Sequence, residues 1–164
     1  MITDEEFKKF VRTYTPHLLR FATRIGGSVL EPHDILQECF ETLWRNKDSV
    51  HPGSVKSFLF TVAHRRIIDS YRRLKITVNE MEVEEDISEE PFTRTSETHE
   101  IIHMGLKCLS PLHRELVVLR DLEGYNYQEI GKICELTESQ VKVYLFRARK
   151  SLKTAVESFE KEII

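Results

Sequence analysis

Two stretches of this chain carry side chains suited to chemistry. The first, His99-Glu100-Ile101-Ile102-His103, satisfies H-E-x-x-H. On a helix that spacing sets two imidazoles on one face beside a carboxylate, the zinc ligands and general base of a metallohydrolase. Such an enzyme also needs a third ligand and a substrate cleft, and no downstream segment has that pattern. The five residues read more simply as the polar start of a helix. The second stretch, Asn126 to Lys153, reads as two helices joined by a tight turn. Asn126 with Glu129, and Thr137 with Gln140, both have capping-box spacing. In the second helix Val141, Leu145, Ala148 and Leu152 recur at steps of four, three and four, which marks a buried face. Gln140, Val143, Tyr144 and Arg147 lie on the other side. Five basic residues and no acidic one fall between Ser139 and Lys153. A helix buried on one side, basic on the other and preceded by a short helix suits the DNA major groove. The plainer alternative is a surface helical hairpin with a solvated basic face.

The rest of the composition sets the frame for these elements. The 164 residues are 40% hydrophobic and 31% charged, enough for one domain or two small ones. No apolar run is long enough to span a bilayer, and the acidic, amphipathic start MITDEEFKKF is unlike a secretory signal. Three widely separated cysteines (Cys39, Cys108, Cys134) argue against a disulfide framework and fit a reducing cytoplasm. The net charge of −3 is unevenly spread. Residues 76–100 hold eight Glu, one Asp and one Arg, or −8, which leaves +5 on the remainder. Two mildly basic blocks are therefore joined by an acidic strip, and that strip has too few large apolar residues to order itself. It is expected to be a flexible linker.

The N-terminal block has helical patterning throughout. Thr3 with Glu6 makes a capping box, and Pro16 is expected to kink or restart the first helical run. Gly26-Gly27-Ser28 ends that run, and Glu31-Pro32 opens a second helix carrying Ile35, Leu36, Cys39, Phe40, Leu43 and Trp44 at helical spacing. Pro52-Gly53 marks a loop, in which His51 reads as a turn residue rather than a ligand. A third helix is expected from about Val55 to Leu74, with Phe58, Leu59, Val62, Ala63, Ile67 and Tyr71 on its apolar side. Arg65, Arg66, Arg72, Arg73 and Lys75 against a single Asp69 make its C-terminal half basic. Cations beside aromatics suit single-stranded nucleic acid. For Phe58, Phe60 and Tyr71, though, rings at helical spacing are the mark of a core.

Three segments resemble a known family. DILQECFETLWR (Asp34 to Arg45) is similar to the polymerase-binding signature of bacterial sigma-70 family sigma factors. FLFTVAHRRIIDSYRR (Phe58 to Arg73) looks like their promoter-melting helix, and Leu109 to Leu152 resembles their −35-binding domain. With only these two domains and a short linker, the chain resembles an extracytoplasmic-function (ECF) sigma factor over nearly its whole length. The resemblance implies an all-α fold of two small helical domains. Residues 1–75 would bind core polymerase and the −10 element, 76–98 would be the linker, and 99–164 would form a helix-turn-helix domain for the −35 element.

The resemblance also implies roles for individual residues. Asp34, Gln37, Glu38 and Trp44 would dock on the polymerase largest subunit. His64, Arg65, Arg66, Asp69, Arg72 and Arg73 would contact the −10 element, and the loop at Pro52 and Gly53 would help hold a flipped base. Arg65 stands where many ECF members carry Asn, which favours a phosphate contact there. Ser139, Gln140, Lys142, Val143, Tyr144, Arg147 and Lys150 would meet the −35 element, with Gln140 and Arg147 suited to base edges and Lys142 and Lys150 to phosphates. Phe146 is expected to be partly core. The implied protein is no enzyme, holds no metal or cofactor, and acts in the cytoplasm with core RNA polymerase, promoter DNA and an anti-sigma factor as partners. A stand-alone helix-turn-helix repressor is the alternative, and it would need a dimer interface or effector pocket that the N-terminal block does not display.

Overall fold

The computed structural model describes residues 1–26, 30–78 and 97–162, and side chains for all of these except 75–78, 97 and 98. Seven α-helices account for most of the described residues, and there is no strand among them. The expected acidic linker falls almost wholly outside the described residues.

Helix α1 (Asp4–Gly26) begins with the capping box read from the sequence. Thr3 N–H donates to Glu6 Oε2 at 2.8 Å and Glu6 N–H to Thr3 Oγ1 at 3.2 Å, and the first bond holds the Glu6 carboxyl below its ordinary range. The helix does not restart at Pro16; it runs through that residue as one element. Helix α2 (Pro32–Arg45) starts on the Glu31 cap with proline at its first turn, as the sequence indicates. A single 3-10 turn (Pro52–Ser54), capped by the His51 ring accepting from Gly53 N–H at 2.9 Å, leads into α3 (Val55–Val78). Helix α3 is thus four residues longer than expected. These three helices pack on one another through Leu18, Phe21, Ile25, Ile35, Cys39, Leu43, Leu59, Ala63 and Ile67, all buried.

The C-terminal helices are α4 (Glu97–Lys107), α5 (Pro111–Val117), α6 (Tyr127–Cys134) and α7 (Glu138–Glu162). Ser110 caps α5, and residues Val118–Leu122 continue it as a wider π-helical turn. Helix α7, 25 residues long, is the spine against which α4, α5 and α6 pack. It needs a small residue opposite it: a Cβ on Gly105 would lie 2.9 Å from Leu152 Cδ1.

The two groups of helices are not separate bodies. Helix α3 lies against α6, and α1 touches α5. Phe60 of α3 sits at the junction, with its ring 5.0 Å from Phe21 and 5.4 Å from Tyr125, both edge-on. It is fully buried, a burial of about 1.5–3 kcal/mol. The apolar core is consequently continuous from Leu18 in α1 to Ala148 in α7.

The turn between α6 and α7 is tight because Gly131 permits it. Leu136 N–H bonds Gly131 O at 2.9 Å, and a Cβ on Gly131 would lie 2.7 Å from Leu136 O, a backbone atom that cannot swing away. Gly131→Ala is therefore expected to destabilise the protein by about 1–3 kcal/mol in thermal unfolding. A wild-type melting curve would contradict this geometry.

Candidate nucleic-acid interface

The α6–turn–α7 unit is built by two reciprocal caps. Asn126 Oδ1 accepts from Glu129 N–H at 2.8 Å while Glu129 Oε2 accepts from Asn126 N–H at 3.1 Å. Gln140 N–H donates to Thr137 Oγ1 at 3.1 Å while Gln140 Oε1 accepts from Thr137 N–H at 2.9 Å. Between them Glu135 adopts a left-handed conformation (φ 59°, ψ 43°) that reverses the chain. This is a helix-turn-helix, with α7 as the second helix.

Helix α7 turns Val141, Leu145 and Ala148 inward and half-buries Leu152. Ser139, Gln140, Lys142, Val143, Arg147 and Lys150 are exposed, and Tyr144 is half-buried beside the His113 ring. Phe146 is not core: 71% of its surface is exposed. It sits one residue past the buried Leu145, on a side that no neighbouring helix covers. The cations are not equivalent. Arg149 forks onto Asp121 with bonds of 3.1 and 2.6 Å, a pairing that raises its pKa and fixes it against the π-helical turn. Lys142 makes only a long surface pair with Glu138 at 3.8 Å. Gln140 spends its amide oxygen on the cap, so bidentate reading of adenine would require that cap to open.

Helix α3 presents a different picture. His64 is 6% exposed, and its Nδ1 shares a hydrogen bond of 2.5 Å with Glu115 Oε1 of α5. Arg65 donates from Nε (3.2 Å) and Nη2 (2.9 Å) to Glu135 Oε1 in the helix-turn-helix. Arg66 Nε pairs with Glu38 Oε2 of α2 at 2.6 Å and its Nη1 reaches Ser70 at 2.8 Å. Asp69, Arg72 and Arg73 are exposed. Of the six expected −10 residues, then, His64 and Arg65 are held by the C-terminal helices. A further tie crosses the same junction onto the Ile25 carbonyl, which is already used within the N-terminal helices. Tyr71 hydroxyl donates to Ile25 O at 2.7 Å, and Arg114 of α5 caps the end of α4 through Leu106, Lys107 and Leu109 carbonyls while reaching that same Ile25 oxygen.

On α2, Asp34, Gln37 and Trp44 are exposed and Glu38 is tied to Arg66. The Trp44 ring meets Phe7 edge-on at 4.9 Å and lies under Lys47 Nζ at 3.6 Å. Phe7, Gln37, Phe40, Glu41, Trp44 and Arg45 line a shallow, largely apolar groove there.

Residues 10–76 match the Sigma-70 region 2 family and residues 99–152 match Sigma-70, region 4. The ECF RNA polymerase sigma factor SigM of Bacillus subtilis is 31% identical over 147 residues, covering 85% of this chain and 88% of that protein. The chain belongs to the ECF sigma factors. SigE of Mycolicibacterium smegmatis, an ECF RNA polymerase sigma factor, is 26% identical over 152 residues, and the chain spans 59% of its length. The same fold occurs in the sigma factor RpoE of Bartonella quintana, solved with the anti-sigma factor NepR: TM-score 0.79, 24% identity, covering 93% of this chain and 98% of that one. As a sigma factor the protein is a transcription initiation factor that directs RNA polymerase. The repressor and metallohydrolase readings are not favoured.

Sequence reasoning missed Glu115, Tyr125, Cys134 and Glu135, all of which meet α3 or its residues. Their partners lie 51 residues away for Glu115 and 70 for Glu135, a separation that no local periodicity encodes. In the sigma factor's H-E-x-x-H stretch, His99 and His103 are exposed on α4, and the Glu100 carboxyl points one buried oxygen away from solvent without a hydrogen-bond partner. Among the described residues the one grouping of three potential metal ligands lies elsewhere, at His64, Glu115 and Cys134.

The three cysteines are free thiols, and their burial separates them. Desolvation pushes the Cys39 thiol up to about 12 and raises that of Cys134 as well, with Glu115 and Glu135 adding to the second shift. Only Cys108 is exposed. Since the thiolate is the nucleophile, an aromatic disulfide reagent at neutral pH should titrate one thiol in the native protein and three in denaturant. Rapid reaction of all three in the native protein would contradict the packing around Cys39 and Cys134.

Proposed function

We propose that the sigma factor divides its work among three helices and that this arrangement is its resting form. In this reading α7 reads the −35 element, α3 engages the −10 element, and α2 docks on core polymerase through Asp34, Gln37, Glu38 and Trp44. Residues 1–75 and 99–164 act as the two promoter-facing domains, joined through 76–98. Catalysis belongs to the polymerase, and the protein works in the cytoplasm where the polymerase is.

The observation that carries the proposal is the state of His64 and Arg65, one buried on Glu115 and the other paired with Glu135. His64, buried in that way, is not available to DNA, whereas the exposed Arg65 pair adds a weaker tie in the same direction. Distance makes the same point. Elements centred near −35 and −10 lie about 25 base pairs apart, roughly 85 Å at about 3.4 Å per base pair. Helix α3 touches α6 directly, and α7 along its whole length spans only about 38 Å at 1.5 Å per residue. A protein closed in this way cannot read both elements, so the domains must part when the holoenzyme forms.

The described surfaces also support an anti-sigma partner. RpoE of Bartonella quintana was solved with NepR, and CnrH, a second protein of the same fold, with the cytosolic domain of CnrY. By analogy an anti-sigma factor would seal the apolar groove at Phe7, Phe40 and Trp44, which is the surface offered to polymerase here.

Residue roles on α7 are separable by experiment. Arg147 is exposed and suited to a bidentate contact with guanine, so Arg147→Ala should cost about 1–3 kcal/mol and relax preference at one −35 base pair. Lys150, further along the helix, is suited to a phosphate. Lys150→Ala should weaken all promoters alike and lower the salt slope by about one. Holoenzyme binding to a −35 substitution series at several salt concentrations tests both. Equal weakening of every sequence by both variants would make Arg147 a backbone contact and refute its assignment.

A further inference from the structure

The junction between the domains contains a cluster that DNA or polymerase binding does not explain. Its members are His64 on α3, Glu115 on α5 and Cys134 on α6, all buried. One ligand atom from each lies within 4.8 Å of the other two. Glu115 is fully buried, yet only one of its oxygens is used: Oε1 takes the His64 bond, and Oε2 has no hydrogen-bond partner. A buried carboxylate oxygen left unmatched is costly, and a cation is what would satisfy it.

We propose that His64, Glu115 and Cys134 form a binding site for a divalent cation of the zinc class, which clamps the two domains together. Imidazole, thiolate and carboxylate are the zinc donor set, whereas magnesium and calcium take oxygen alone. Charge supports the choice. One Cys thiolate and one Glu carboxylate cancel a divalent ion, and the imidazole coordinates in its neutral form, so the buried site would carry no net charge. Bond lengths of about 2.0–2.3 Å to a tetrahedral ion put its ligands roughly 3.3–3.8 Å apart. The cluster reaches this by closing in around the ion while His64 and Glu115 give up their direct bond. Cys134 releases its thiol proton to solvent, the His64 ring carries its one proton on Nε2 and binds through Nδ1, and a water completes the shell.

The three ligands come from both sides of the junction, one from the N-terminal helices and two from the C-terminal ones. An ion held by all three binds the closed form alone, and by linkage it stabilises that form as its concentration rises above the dissociation constant. This consequence for regulation rests on the resting-form reading above; the site itself does not.

The test uses the full chain carrying Cys108→Ser, titrated with Co2+ and then competed with Zn2+. The expected result is one equivalent of Co2+ with tetrahedral visible bands and a thiolate charge-transfer band, displaced by Zn2+. Cys134→Ser should abolish the charge-transfer band and weaken binding at least about 100-fold, since even outer-shell changes cost 10–100-fold. His103→Ala should change nothing. Octahedral bands without a sulfur signature, or binding lost in His103→Ala and kept in Cys134→Ser, would overturn the site. If Cys134→Ser does not fold, X-ray absorption of the zinc-loaded Cys108→Ser protein decides: one sulfur in the shell supports the site, none refutes it. Core polymerase binding is the separate arm. At 100 times the dissociation constant, zinc should weaken it by up to about 100-fold. Binding at these ligands with no effect on polymerase would leave the site standing and refute the resting form.

Discussion

The buried contact between His64 and Glu115 is the constraint around which this sigma factor is organised. A carboxylate with no exposure to water must be paired, because its desolvation is otherwise unrecovered. Its partner stands on the opposite domain. Removing one member leaves the other buried without its hydrogen bond, at a cost of about 1–3 kcal/mol, and separating the domains does the same unless water replaces the partner. The aromatic run Phe21–Phe60–Tyr125 crosses the same junction, and Arg65 ties α3 to Glu135 in the turn after α6.

That junction uses residues needed elsewhere. His64 and Arg65, which meet Glu115 and Glu135 there, belong to the helix proposed to engage the −10 element. Each ligand of the open form must therefore outbid the closed one. Moving a two-state equilibrium from 1:99 to 99:1 takes about 5.5 kcal/mol of differential affinity. In the proposed reading, a polymerase surface that pairs Asp34, Gln37 and Trp44 would supply energy on that scale, and promoter binding would follow from opening.

Much of this was legible in the sequence, and the reasons differ by residue. The caps at Thr3, Asn126 and Thr137 are local, because donor and acceptor sit three residues apart, and all three form as the pattern indicates. The inward faces at Val141, Leu145 and Ala148 follow from helical periodicity alone. Phe146 was misread because an aromatic next to a core position looks like core until the neighbouring helices are placed. The helix does not restart at Pro16, because Pro disfavours a helix interior by a finite amount and the packing around Leu18, Phe21 and Ile25 outweighs it. The closing contacts were invisible for a further reason. Glu115, Tyr125, Cys134 and Glu135 have no spacing in common with the residues they meet, and the acidic strip between the blocks suggested independence rather than contact.

The central claim is that the free protein is closed and the bound one open. Spectroscopic labels on Ser54→Cys and Lys132→Cys, two exposed positions in the N-terminal and C-terminal helices, measure this in a Cys108→Ser background. The account predicts a single short inter-label distance in the free sigma factor. On adding core polymerase and promoter DNA that distance should lengthen by tens of Å, as roughly 85 Å between promoter elements requires. A broad or long distance distribution in the free protein, unchanged by polymerase, would contradict it.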